Sequence, residues 1–155
     1  MKIKQLAVRD PVLVEKLIDM WTRSVRATHT FLNEDDIRRL TPVVRQGLTE
    51  IPVLVIAETD EGNPVGFMGI GDGCLEMLFL HPDCRGQGLG RQLLKMGIEQ
   101  YDVRRLDVNE QNPAAHGFYE HMGFKVVGRS EFDDYGNPFP ILHLILETDI
   151  RTGKE

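Results

Sequence analysis

The stretch "HPDCRGQGLGRQLL", residues 81–94, sets Gly86, Gly88 and Gly90 at every second position behind Arg85 and then turns into an apolar, helix-like pattern. Just before it, "CLEMLFLHP" reads as a strand; within and after it, Leu89, Leu93, Gly97 and Tyr101 share one helical stripe, with Leu94 and Ile98 alongside. A strand that enters a glycine-rich loop and leaves as a helix gathers unpaired backbone N–H groups at the helix's positive end. Phosphate is the natural guest of such a site. Glycine serves there because a side chain would hold the anion away from the amides, and because such a loop can require positive φ. Arg85 adds a charged fork. The nucleotide-triphosphate loop G-x-x-x-x-G-K-[ST] is excluded, since no Lys-Ser or Lys-Thr pair follows. The dinucleotide fingerprint G-x-G-x-x-G fails as well: counted from Gly88, its third glycine falls on Leu93, although acidic Asp107 stands at a suitable distance. Taken alone, the loop leaves a plain tight turn open as the alternative.

Outward from this centre the pattern is that of one mixed α/β sheet. Residues 3–8 read as a strand, and Asp10 offers an N-cap and Pro11 a first helical position ahead of Leu13, Leu17, Trp21 and Val25 at four-residue steps. Asn33 can cap a second helix, "EDDIRRLTPVVRQGL", which Pro42 is expected to kink or split. "VLVIAET", the turn "DEGN" and "PVGFMGIG" read as a hairpin, and "RLDVNE" closes a βαβ unit after the central helix. Asn112 caps and Pro113 opens a further helix with Ala115, Phe118 and Met122 on one face, ended by Gly123. The strands "FKVVGRSEF" and "ILHLILE" flank the turn-rich "DDYGNPFP". The expected fold is α/β: a single domain over residues 1–148, its mixed, largely antiparallel sheet flanked by helices, followed by a polar tail at 149–155.

Composition narrows the function classes. A chain of 155 residues with 41% hydrophobic content supports one substantial core. A formal net charge of -6 argues against gripping a phosphate backbone, so no nucleic-acid partner is expected. Cys74 and Cys84 make neither a disulfide framework nor a zinc pattern, which fits a reducing, cytoplasmic setting. The N-terminal apolar run is too short for a signal sequence, and nowhere do ~18 uncharged apolar residues run together, so no membrane association is expected.

The pairing of "LFLHPDCRGQGLGRQLL" with "VNEQNPAAHGFYEHMGF" downstream resembles the GNAT superfamily of acyl-CoA-dependent N-acyltransferases. Arg85, Gly88 and Gly90 match its R-x-x-G-x-G pyrophosphate loop. Asn112, Ala115, Phe118, Tyr119, Gly123 and Phe124 match N-x-x-A-x-x-F-Y-x-x-x-G-F. The order of strands and helices agrees over essentially the whole chain, and "WTRSVRATHTFL" and "EFDDYGNPFPIL" resemble a small bacterial subgroup. The resemblance implies acetyl-CoA as cosubstrate, no metal, and transfer of the acetyl group to a primary amine by direct attack on the thioester. The loop Arg85, Gly86, Gln87, Gly88, Leu89 and Gly90 would hold the pyrophosphate. Backbone groups of Leu78, Phe79 and Leu80 would pair with the pantetheine arm as an added strand does, and Asn112 would contact the same arm or cap its helix.

The chemistry asks for two proton-handling groups, because an alkylammonium of pKa roughly 10 must lose a proton and a departing thiolate of pKa roughly 8.5 must gain one. Tyr119 is the family's usual general acid, with a core aromatic as its structural alternative; a strand N–H near Leu78 would meet the oxyanion. Glu76 is the candidate base, directly or through water, placed by strand alternation on the side of Leu78 and Leu80; an exposed strand carboxylate, with water as the base, is the alternative. Cys84 is read as an inert thiol, and His81, His116, His121 and His143 as weaker or structural candidates. The unidentified amine acceptor, cationic if Glu131, Asp133 and Asp134 beside Phe132, Tyr135 and Phe139 form its mouth, would face Trp21, Thr28, His29 and Phe31. A homodimer stays open, and a coenzyme-A-binding sensor with little catalytic activity is the competing reading.

Overall fold

The computed structural model describes residues 1–147, so the tail expected at 149–155 lies outside the described residues. Strands β1 (Lys2–Gln5), β2 (Val53–Glu58), β3 (Pro64–Gly71), β4 (Cys74–Leu80), β5 (Arg105–Asn109), β6 (Phe124–Ser130) and β7 (Ile141–Leu146) build one sheet in the order β1-β2-β3-β4-β5-β7-β6. Every neighbouring pair is antiparallel except β4 with β5, which is the βαβ unit the sequence suggests. Helices α1 (Pro11–Thr28) and α2 (Glu34–Glu50) cover one face; α3 (Leu89–Tyr101) and α4 (Pro113–His121) cover the other.

Two cores result, one on each face. Val55, Ala57, Met68 and Ile70 pack with Leu93 and Leu94 of α3, whereas Leu54, Ile56 and Phe67 pack with Leu17, Trp21 and Val25 of α1. Burial on both faces is why β2 reads as the unbroken apolar run "VLVIA" instead of alternating. Among the described residues no helix is long and apolar enough to cross a membrane.

The helix starts follow the local chemistry. Asp10 Oδ1 accepts from the Val12 N–H (3.0 Å), and Pro11 occupies a first-turn position where no N–H is needed. Between β1 and α1 the guanidinium of Arg9 turns inward and donates to the carbonyls of Leu6 (3.2 Å), Leu48 (2.9 Å) and Ile51 (2.8 Å). It thereby satisfies the end of α2 and fixes where β1 stops, earlier than the expected residues 3–8. Asn33 and Asp36 form a reciprocal capping box at the start of α2.

Pro42 does not split α2, which runs as one helix from Glu34 to Glu50. The ring is exposed, and Arg38, whose carbonyl an N–H at position 42 would have bonded, is exposed as well, so water can hydrate the freed oxygen. The break costs stability without ending the helix. Pro42→Ala restores the missing hydrogen bond, and we expect it to raise unfolding stability by about 1–3 kcal/mol, partly offset by a freer unfolded chain. Urea titration checks this; a lower midpoint would mean that the proline ring itself supports the fold.

Candidate active site

The site opens where β4 and β5 part. Their parallel pairing comprises only Cys74↔Arg105 and Leu75↔Leu106. From Glu76 to Leu80 the side of β4 toward β5 has no strand partner, so its backbone donors and acceptors face a cleft. A bulge lies at the parting point: Gly69 pairs with Met77 and Ile70 with Leu75, leaving Glu76 as the extra residue. The Met77 side chain lies across Gly69, where a Cβ would sit 2.7 Å from the Met77 Cε. The bulge corrects the strict alternation expected to set Glu76 with Leu78 and Leu80. Leu75, Leu78 and Leu80 all pack in the core beneath α3, Met77 and Phe79 in the other core, and Glu76 is exposed.

One end of the cleft is the glycine loop. Gly86 (φ 76°) and Gly88 (φ 84°) take left-handed backbone, and Gly88 begins α3 with no side chain capping the helix. Gly90 is different: a Cβ there would make ordinary contacts, 3.4 Å from Leu80 Cδ1 and 3.7 Å from Phe118 Cζ, so neither backbone nor packing requires glycine at that position. Only Gly86 and Gly88 of the three meet the expectation of positive φ.

A cavity of about 550 Å³ runs along the cleft and is lined by Glu76, Leu78, Phe79, Leu80, Arg85, Gly86, Gly88, Gly90, Asn112 and Tyr119, among others. Gln87 and Leu89 are the two cofactor candidates whose side chains turn elsewhere. Gln87 Nε2 donates to the Asp83 carbonyl (3.1 Å), and Leu89 is 3% exposed in the core. Asn112 is buried and its Oδ1 accepts from the Ala115 N–H (3.3 Å), so it caps α4 and faces the cavity at once. Tyr119 is 8% exposed, packed between Phe118 and Phe124, and burial raises its phenol far above the usual range, so the hydroxyl keeps its proton. The Cys74 thiol is pushed up to about 12 by burial and by the Glu76 carboxylate, which makes it inert.

A second cavity of about 260 Å³ continues on the α1/α2 side, lined by Trp21, Phe31, Leu40, Val44, Asp133, Asp134, Tyr135 and Phe139, among others. The two share His29, Glu76, Met77, Phe79, Asp107 and Asn109, which therefore form the seam between them. The loop between β6 and β7 does face the end of α1, but its two aspartates differ. Asp133 spends its carboxylate on the loop, accepting from the N–H groups of Tyr135 (3.0 Å) and Asn137 (2.8 Å) and from Asn137 Nδ2 (3.0 Å). Asp134 is exposed and lines the cavity. Glu131 and Phe132 are exposed residues outside this lining.

A line of polar groups that the sequence does not announce ends at the seam. His143 Nδ1 lies 2.7 Å from Asp107 Oδ1, and His143 Nε2 lies 2.6 Å from Ser130 Oγ. A carboxylate can only accept, so Nδ1 donates to Asp107; in a neutral ring Nε2 then accepts from the Ser130 hydroxyl. The only local signal was the alternation in "RLDVN", where Leu106 and Val108 are buried and the polar residues between them are not. His81 receives the Asp83 N–H on Nδ1 (3.1 Å) and lines neither cavity.

Comparison with known proteins places this geometry. A family model described as an acetyltransferase (GNAT) domain matches residues 51–126. The chain is 48% identical over 131 residues to the peptidyl-lysine N-acetyltransferase YjaB of Salmonella typhimurium, covering 84% of this chain and 90% of that protein. To the YjaB of Escherichia coli it is 45% identical over 130 residues, covering 84% and 88%. The solution structure of apo YjaB from Escherichia coli superposes with a TM-score of 0.82 at 41% identity, covering 94% of this chain and 98% of that one. The PaiA N-acetyltransferase of Thermoplasma acidophilum, solved in complex with coenzyme A, shares the fold with a TM-score of 0.65 at 21% identity, covering 92% and 98%.

The seam residue His29 also carries a stability signature. Burial, with a smaller effect of the Arg85 charge, lowers its imidazole to about 4 from an ordinary 6.5. The unfolded chain therefore binds a proton that the folded one refuses between those values. The stability this neutral ring contributes is complete above about pH 6.5 and is lost as pH falls through about 4. We expect urea midpoints at pH 7 and pH 4.5 to differ more for the native chain than for His29→Gln, the acidic residues contributing equally to both. Equal differences would place the imidazole in water.

Proposed function

The chain belongs to the GNAT family of acetyltransferases and is an acyl-CoA-dependent N-acetyltransferase with acetyl-CoA as cosubstrate; from that premise we propose that its acceptor is the side-chain amine of a peptide or protein lysine. The observation that carries this reading is the second cavity, which offers Asp134 at its mouth, Glu76 and Asp107 at its inner end, and the rings of Phe31, Tyr135 and Phe139 between. Carboxylates draw an ammonium by charge, and aromatic walls suit its methylene stem and cationic head. The curated name that the YjaB relatives carry, peptidyl-lysine N-acetyltransferase, supports the same acceptor. The catalytic domain is the whole of residues 1–148. With both cysteines free, a reducing cytoplasm is its proposed setting.

The residues present suit the cosubstrate. Acetyl-CoA supplies an activated acetyl thioester. The amides of the Arg85–Gly90 loop and the positive end of α3 bind its pyrophosphate, while Arg85 adds charge. The unpartnered side of β4 from Leu78 to Leu80 accepts the pantetheine amides as it would a strand. Asn112 closes the opposite side of the cleft.

Glu76 takes a proton from the entering ammonium, directly or through water, and Asp107 holds a second negative charge beside it. The freed amine forms a C–N bond to the acetyl carbon as the C–S bond breaks. The acylated nitrogen gives its second proton to cleft water, Tyr119 gives its own to the leaving sulfur and recovers one from that water, and the proton taken by Glu76 passes to solvent, so one proton per turnover is released.

Gly88→Val should leave a folded protein whose coenzyme A affinity, read by calorimetric titration, falls at least tenfold, because a side chain at a left-handed position both strains the loop and shields its amides. Unchanged affinity would remove the loop from the cofactor site. Tyr119→Phe should lower kcat about 10²-fold to 10⁴-fold while coenzyme A affinity stays within a factor of about two; a kcat near the native value would return Tyr119 to the core alone. For Asp134→Asn, steady-state kinetics with a lysine peptide should show a raised KM and a flatter salt dependence, with the KM for acetyl-CoA unmoved. Identical peptide kinetics at low and high salt would show that Asp134 plays no part in recognition.

A further inference from the structure

His29 belongs to both cavities and is built into the seam with more care than a surface residue needs. Helix α1 ends at Thr28, and the backbone N–H of His29 bonds the Val25 carbonyl (2.7 Å), which fixes the Cα. The ring lies between two phenyl rings, with centroids 5.4 Å from Phe31 and 6.2 Å from Phe79. Phe31 in turn meets Phe139 of the acceptor loop at 5.5 Å, and Phe79 meets Phe67 of the core at 5.6 Å. The imidazole is thus one member of a column of rings running from the mouth of the second cavity to the sheet.

Its tautomer follows from counting protons. The Thr28 hydroxyl has one hydrogen, donated to the Ser24 carbonyl (2.9 Å). The contact of 2.7 Å between Thr28 Oγ1 and His29 Nδ1 must then be closed by a hydrogen on Nδ1. Nε2, on the opposite edge of the ring, carries a bare lone pair and bonds no described residue. Burial and the nearby Arg85 charge keep the ring neutral at working pH.

We propose that His29 Nε2 accepts a hydrogen bond from the nitrogen of the incoming amine and so turns its remaining lone pair toward the acetyl carbon. This rests on the lysine-acetyltransferase reading. A neutral acceptor suits the position. The carboxylates of Glu76 and Asp107 attract the ammonium and Glu76 receives its proton, while a charged imidazole at the same seam would repel it. The ring is too weak a base, at about 4, to hold a proton taken from an amine, so its contribution is orientation. Its place is fixed by Thr28, Phe31 and Phe79 and needs no rearrangement on binding.

The test compares His29→Phe, which keeps an aromatic ring in the column and loses both nitrogens, with His29→Gln, which keeps an acceptor. With a lysine peptide as acceptor, His29→Phe should lose about ten- to hundredfold in kcat/KM, mostly in kcat, with coenzyme A affinity within about twofold. His29→Gln should recover a large part of that loss. Equal losses in the two variants, or a His29→Phe enzyme within about threefold of the native one, would overturn the proposal. Nitrogen NMR of the native protein gives a reading free of activity and of variant folding: at pH 7 His29 should show Nδ1–H and a bare Nε2, and the reverse tautomer would overturn it. If the native enzyme acetylates small amines but no lysine peptide, the acceptor reading fails by itself, and the same variant comparison made with the small amine decides the role of His29.

Discussion

Everything at the site depends on β4 and β5 being held together at two residue pairs and no further. A parallel pair cannot simply end in the middle of a sheet without exposing backbone groups that want partners. Here the bulge at Glu76 turns β4 away, and the exposed stretch becomes the floor of a cleft open to both faces. On one face the start of α3 enters the opening with its amides forward; on the other the end of α1 leaves room for a second molecule. The two cavities meet where the sheet is missing its hydrogen bonds.

The charges are distributed to match. Arg85 and Arg91 line one end of the cleft, and Glu76, Asp107 and Asp134 line the other end and its continuation. A lysine acceptor of the kind proposed would be drawn as a cation to the acidic end, and the anionic cofactor to the basic one. That separation matters in a chain whose formal net charge is -6, where an undirected field would repel the cofactor.

The local parts of this arrangement were legible in the sequence. The loop from Arg85 to Gly90, the Asn112–Pro113 helix start and the Asp10 and Asn33 caps are each encoded by neighbours along the chain, so spacing alone reports them. What escaped depends on other strands. The bulge at Glu76 lies in the register of β4 against β3, opposite Gly69 and Ile70, and simple alternation along β4 could not reveal it. The line Asp107–His143–Ser130 crosses three strands whose order in the sheet, β5-β7-β6, differs from their order in the chain. Asp133 and Asp134 look equivalent as letters; both line the cavity, and only the loop's hydrogen bonds show that the carboxylate of Asp133 is spent on the turn. Pro42 carried the opposite lesson, since a residue that breaks helices is tolerated where the carbonyl it orphans meets water.

The two cores on opposite faces of the sheet have a further consequence. Phe31 and Phe139, which line the second cavity, meet each other at 5.5 Å, while Leu78, Leu80 and Phe118, which line the first, pack in the core under α3 and α4. Free energies add for sites that lie apart and couple where residues are shared, and here the two cavities share six residues at the seam. Substitutions in the β6–β7 loop, away from those six, can therefore reshape the second cavity while the first stays as it is, whereas substitutions at the end of α1, where Thr28 and His29 line the first, touch both. Such a scaffold can vary the far wall of one cavity a substitution at a time against a constant background in the other.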